Sequence, residues 1–266
     1  MRTSRSVRQR PPAAILIAAV IGAGLFVLPL IGLLWRTPWG RLAELLSSKI
    51  VRDAIVISAV TSLVAALLCV MFGVPLAWLL ARVEFPGRNI LRAIVTLPMV
   101  LPPVVGGAAL LFAFGRRGLI GDPLEAATGF VLPFSIWAVI VANTFVAMPF
   151  LVVTVEGAFR SLDGSQEAAA STLGANQLTI FRRVVLPLIS PSLRAGIVLA
   201  WARALGEFGA TITFSGNLPG RTQSLPLAVF VALESDRDAA VAISLILIMI
   251  SFVVLVLFRD RWWSRQ

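Results

Sequence analysis

The sequence predicts an all-α integral membrane protein of six transmembrane helices with both termini in the cytosol. Three observations carry that expectation. Of 266 residues, 58% are hydrophobic and only 14% are charged, with a mean hydropathy of +0.93; soluble domains average about 45–50% apolar and about 25% charged. The charges are segregated, leaving apolar stretches long enough to cross a hydrocarbon core of roughly 30 Å at about 1.5 Å per residue. Positive residues are also unevenly shared among the connecting segments.

The six apolar segments are 13–34, 54–81, 93–115, one within 126–155, one from about 192 to 214, and 239–258; all but the fifth lack Asp, Glu, Lys and Arg. The chain divides accordingly into a basic cytosolic N-terminus (1–12), a first span (13–34), a five-span core (54–258) holding a cytosolic hairpin (160–191), and a cytosolic tail (259–266). The first span follows Arg2, Arg5, Arg8 and Arg10 and so resembles a signal peptide. Its apolar run exceeds the usual signal-peptide core, which favours an uncleaved anchor. With both ends inside, the cytosolic segments hold fourteen arginines and the outer segments eight basic residues, Arg203 lying within a span. That bias agrees with the positive-inside rule.

The segment 160–191 reads as structured. Asp163 can cap a helix, with Gln166 completing a capping-box pattern, and the helix runs through Glu167, Ala168, Ala169, Ala170, Ser171 and Thr172. Gly174 ends it, because glycine tolerates the left-handed conformation. Asn176 can cap a second helix that ends near Leu186-Pro187, with Arg182 and Arg183 near its C-terminal end. A connector lying flat on the membrane surface is the plainer alternative. The order Glu167-Ala168-Ala169, then Gly174, then Val184-x-Leu186-Pro187 resembles the EAA loop of ABC importer permeases, departing only in Val184 for Ile. The resemblance implies a type I ABC importer permease-like bundle. In it, Asp163, Glu167, Ala168, Ala169, Gly174, Leu186 and Pro187 couple the membrane helices to a cytosolic ATPase subunit. Lys49 is the only lysine and follows Ser48, so the phosphate-binding Gly-x-x-x-x-Gly-Lys-[Ser/Thr] loop is absent and ATP with magnesium is expected on a partner chain.

Two further segments suggest a pathway. Residues 96–107 open the third span and contain Pro98, Pro102, Pro103, Gly106 and Gly107, which interrupt helical hydrogen bonding. Broken spans line transport pathways, although a kink absorbed by neighbouring helices is the simpler reading. In the fifth span Arg203 and Glu207 lie four apart and share a face, followed by Thr211 and Thr213. They can form an ion pair that fixes helix packing, or line a gate. These strings, with Phe114-Gly115-Arg116-Arg117-Gly118 and Leu225-Pro226-Leu227-Ala228, resemble the molybdate permeases of molybdate/tungstate ABC importers; 204–209 alone also resembles sulfate permeases. The resemblance implies a homodimer in the cytoplasmic (inner) membrane, an ABC ATPase subunit and a periplasmic or lipid-anchored molybdate-binding protein.

Other classes fit poorly. The net charge of +10 does not indicate nucleic acid, because the arginines flank apolar runs and form no continuous basic face. There is no histidine, and Cys69 is the only cysteine, so His-based catalysis is excluded and no metal site is expected. An ion-driven secondary transporter would need buried carboxylates, and Glu207 is the only acidic residue well inside the predicted spans. No nucleophile–base constellation suggests a membrane enzyme.

Overall fold

The computed structural model describes residues 12–263; the expected basic segment through residue 11 and the last residues of the expected tail lie outside the described residues. All regular structure among the described residues is helical. Helix α1 (Ala13–Arg36) is followed by a short helix α2 (Leu42–Ser47) and by the long α3 (Lys49–Arg82). Helix α4 (Arg88–Met99) and α5 (Pro103–Phe114) follow, then the short α6 (Gly121–Thr128). Helix α7 (Ile136–Ser161) leads to α8 (Ser165–Thr172) and α9 (Gln177–Leu205). The chain ends with α10 (Gly209–Ser215), α11 (Leu225–Ser235) and α12 (Arg237–Trp263).

Five helices, α1, α3, α7, α9 and α12, are long and apolar enough to cross a membrane, and α4 with α5 supplies a sixth if the pair counts as one span. The core is the packing of α3 and α9 on α7. Ala65, Ala77, Ala147 and Ala200 are fully buried there beside Leu80, Leu151 and Phe159. In lipid, small residues let helix backbones approach and van der Waals contact holds them, since the solvent is as apolar as leucine. A second cluster joins the start of α3 to α11 and α12 through Ala54, Leu225, Ala228 and Ile243. A third joins α5, α7 and α10 through Leu110, Ala142, Val146 and Phe214. Helix α1 has no buried side chain and packs chiefly on α12.

Several expectations are corrected. The third span is not one helix: α4 and α5 meet at 117°. Pro102 and Pro103 lack the N–H that a continuing helix needs, and Pro102 is held extended (ψ 130°) by the proline that follows it. The fourth span starts within its expected window, where Gly129, in the left-handed region, ends α6 before Ser135 caps α7, but its helix runs past 155 to Ser161. The fifth span does not run to 214; it stops at Leu205, and α10 is a separate short helix. Its cytosolic arm does not end at Leu186-Pro187. The helix runs unbroken from Gln177, passing through a wide π-type turn over Phe181–Val185. That turn re-registers the backbone so that Pro187 neither removes a required donor nor strikes the preceding turn. Arg182 and Arg183 therefore lie inside a continuous helix rather than at an end. The sixth span likewise continues as helix to Trp263, through the start of the expected tail.

Candidate coupling hairpin and membrane pathway

The hairpin is built from α8, a glycine turn and the first turns of α9. Its start differs from expectation: Gly164, in the left-handed region at φ 75°, occupies the cap position, and the capping box with Gln166 does not form. Asp163 acts one residue earlier, where its Oδ1 accepts from the Ser165 hydroxyl at 2.9 Å and the Ser165 N–H at 3.0 Å. Those bonds hold the exposed Asp163 carboxyl below its ordinary range. Gly174 ends the turn at φ 84°, as expected. Asn176 also caps as expected, its Oδ1 accepting from the Thr179 N–H at 2.8 Å.

Helix α8 buries none of its side chains. Ala168 and Ala169 are exposed, Leu173 at the tip is 88% exposed and Leu178 is 62% exposed. Leu173 and Leu178 thus form an exposed apolar tip beside polar residues. Glu167 is half-buried and pairs with Arg82, the last residue of α3, at 2.7 Å. Leu186 and Pro187 belong to α9, so the second arm of the hairpin and the fifth span are one continuous helix.

The pathway candidates converge. Helix α10 lies against α5, and the contact is close enough that glycine is required on both sides. A Cβ on Gly107 would sit 2.7 Å from Thr213 Cβ and 2.8 Å from the Ala210 carbonyl oxygen, and one on Gly209 would sit 2.7 Å from Pro103 Cβ. Gly106 is buried beside Phe145. Pro102 and Pro103 are exposed and Pro98 is half-buried at the bend. Thr211 is fully buried and donates to the Phe208 carbonyl at 2.9 Å; Thr213 donates to the Gly209 carbonyl at 2.9 Å. Both hydroxyls thus serve their own helix.

Arg203 and Glu207 do pair, Nη1 to Oε2. The other Glu207 oxygen accepts from the Ala210 N–H at 2.7 Å. The carboxylate thereby closes the last turn of α9 and opens α10, which explains why the fifth span breaks here. Glu207 is buried, whereas the Arg203 side chain remains 28% exposed.

Sequence reasoning missed a second buried carboxylate. Glu156 of α7 lies just past the end assigned to the fourth span, and its side chain is 8% exposed. Arg92 of α4 reaches it through Nη2 at 2.6 Å and Nε at 2.9 Å. Arg92 also donates to the Leu80 carbonyl at 3.0 Å, and Arg88 donates to the Leu80 and Ala81 carbonyls at 2.8 and 3.2 Å. The spacing of Arg88 and Arg92, one helical turn apart, was the available signal.

Comparison with known proteins agrees with this arrangement. The family described as "Binding-protein-dependent transport system inner membrane component" matches residues 73–265. The molybdenum transport system permease protein ModB of Mycobacterium tuberculosis is 44% identical over 92% of this chain and 92% of its own length. The sulfate transport system permease protein CysT of Salmonella typhimurium is 37% identical over 87% of this chain and 84% of its own length. Among solved structures, a chain of a bacterial alginate ABC transporter, crystallised with an alginate pentasaccharide-bound periplasmic protein, superposes with a TM-score of 0.73. It shares 19% identity, covers 92% of this chain and 91% of that one, and shows the same fold.

Proposed function

Because the chain belongs to the family of binding-protein-dependent transport system inner membrane components, we propose that it is the membrane subunit of an ATP-driven importer of molybdate. A homodimer forms the pathway at its two-fold axis, a pair of ATPase subunits docks on the cytosolic side, and a periplasmic or lipid-anchored binding protein delivers the anion. The chain itself carries no catalytic residue and binds no cofactor; ATP and magnesium stay on the partner. Both termini face the cytosol, which places α8 at the inner surface.

The observation that carries this reading is the exposed α8 fused to a membrane-spanning rod. Closure of the ATPase pair moves α8, and α9 follows because Gly174 and Asn176 make one stiff elbow between them. A shift from 1:99 to 99:1 between inward- and outward-open states needs about 5.5 kcal/mol of differential binding. A helix of two turns transmits that motion and does not supply the energy; ATP does, by favouring one state.

Uptake of molybdate into proteoliposomes holding the chain, its ATPase and its binding protein tests the reading. Gly174→Pro forces a φ near −65° where 84° is required, and uptake falls by at least about tenfold while the protein remains in the membrane. Undiminished uptake in this variant would refute the docking role of the hairpin. A sulfate importer is the second reading, favoured by the likeness to CysT. Titration with molybdate, tungstate and sulfate, following ATPase stimulation, separates the two. In the same assay Arg203→Ala lowers uptake more than Arg221→Ala, because Arg203 lies at the break of the fifth span and Arg221 on an exposed loop. Equal losses would remove the fifth span from the pathway.

A further inference from the structure

We propose that the ion pair of Arg82 with Glu167 is a joint through which motion of α8 reaches the second and third membrane segments, making Arg82 a positioning residue for transport; this rests on the importer reading above.

Among the described residues, Arg82–Glu167 is the one side-chain hydrogen bond that leaves α8 for another helix: Thr172 bonds within α8, and Ser165 bonds to Asp163. The covalent routes from α8 run back through residues 162–164 into α7 and on into α9, and thus into the fourth and fifth spans. The ion pair opens a route to α3, which the chain does not join to α8 directly. Arg82 ends α3, where the helix dipole favours a cation, and a charge-assisted bond of 2.7 Å is both short and directional. The Arg and Glu side chains are 27% and 30% exposed, so water screens the pair only partly.

From Arg82 the connection continues through bonds. The carbonyls of Leu80 and Ala81, left without helical partners where α3 ends, accept from Arg88 and Arg92 of α4. Arg92 is pinned to Glu156 of α7. Helix α4 then runs into the bend at Pro98, Pro102 and Pro103. A displacement of α8 is therefore delivered to the end of α3 and, through the two arginines, to the broken segment that packs on α10. When the ATPase closes, α7 and α9 thus follow α8 through the chain, and α3 and α4 follow it through the joint.

The test uses the complete transporter in proteoliposomes, measuring anion uptake and ATP hydrolysis in the same vesicles, with co-purification of the ATPase as the check on assembly. Arg82→Glu and Glu167→Arg each lower anion carried per ATP by roughly tenfold with the ATPase still bound, and the reversed pair, Arg82→Glu with Glu167→Arg, recovers most of the loss. A reversed pair as uncoupled as Glu167→Arg alone overturns the joint, because Glu167 then serves the ATPase and not Arg82. A wild-type ratio in Arg82→Glu overturns it as well. The ratio is read with whichever oxyanion moves, so carriage of sulfate corrects the substrate and leaves the joint standing. Failure of the wild-type chain to hold an ATPase overturns the importer reading and the joint together.

Discussion

Gly107→Val lowers the thermal stability of the purified protein by several degrees and abolishes uptake. The added side chain begins 2.7 Å from Thr213 Cβ and 2.8 Å from the Ala210 carbonyl oxygen. A flexible side chain could turn aside, but the carbonyl belongs to α10 and cannot move without the helix. Overpacking costs about 1–3 kcal/mol in ordinary cores, and this site stands at the upper end because backbone must shift. A change of that size moves a melting midpoint by on the order of several degrees in a chain of this length. Gly22→Val is the control, since nothing lies within 4 Å of a Cβ there. Both variants add the same apolar bulk, so a fall confined to Gly107 isolates the α5–α10 contact. Equal melting midpoints for Gly107→Val and Gly22→Val would show that this contact does not form.

Glu207→Ala is the second large loss. It removes the partner of Arg203 and uncovers the Ala210 N–H in one step. Breaking a buried charge pair from one side costs about 3–5 kcal/mol, and the partial exposure of Arg203 places this case toward the lower figure. Glu207→Gln retains an oxygen for the Ala210 N–H and loses only the charge, so its stability falls between wild type and Glu207→Ala. Thermal unfolding in detergent ranks the three. If Glu207→Gln were as damaging as Glu207→Ala, the charge alone would matter and the helix-capping role of the carboxylate would be wrong. The pairing also bears on the choice left open by the sequence between a structural pair and a gate. Glu207 is committed to structure through both oxygens, whereas Arg203, partly exposed, retains guanidinium nitrogens beyond the one that holds Glu207.

Much of the membrane organisation was legible because the bilayer imposes it. A stretch such as 239–258, uncharged and long enough to cross the hydrocarbon core, fits the bilayer better than water. The hairpin was legible for a different reason: Gly174 and Asn176 act on their own neighbours, and both do what their chemistry predicts. The errors share a cause as well. Pro187 looked like a helix end, yet a wide turn four residues earlier absorbs it, and whether such a turn forms depends on the packing of Val185 and Ile189 against α3 and α7. Pro102 and Pro103 announced a break but not its 117° angle, which is set by where α5 finds α10.

The sequence by itself determined the all-helical membrane class, the apolar segments and the nearness of Arg203 to Glu207, four positions apart, which in the structure pair across the end of α9. Only the tertiary structure decided that Arg92 meets Glu156 across 64 positions and Arg82 meets Glu167 across 85. The physical reason is range. Capping, turns and contacts between residues four apart are fixed by the local backbone, whereas a charge pair between separate helices exists only where small residues let those helices approach closely enough for the side chains to reach.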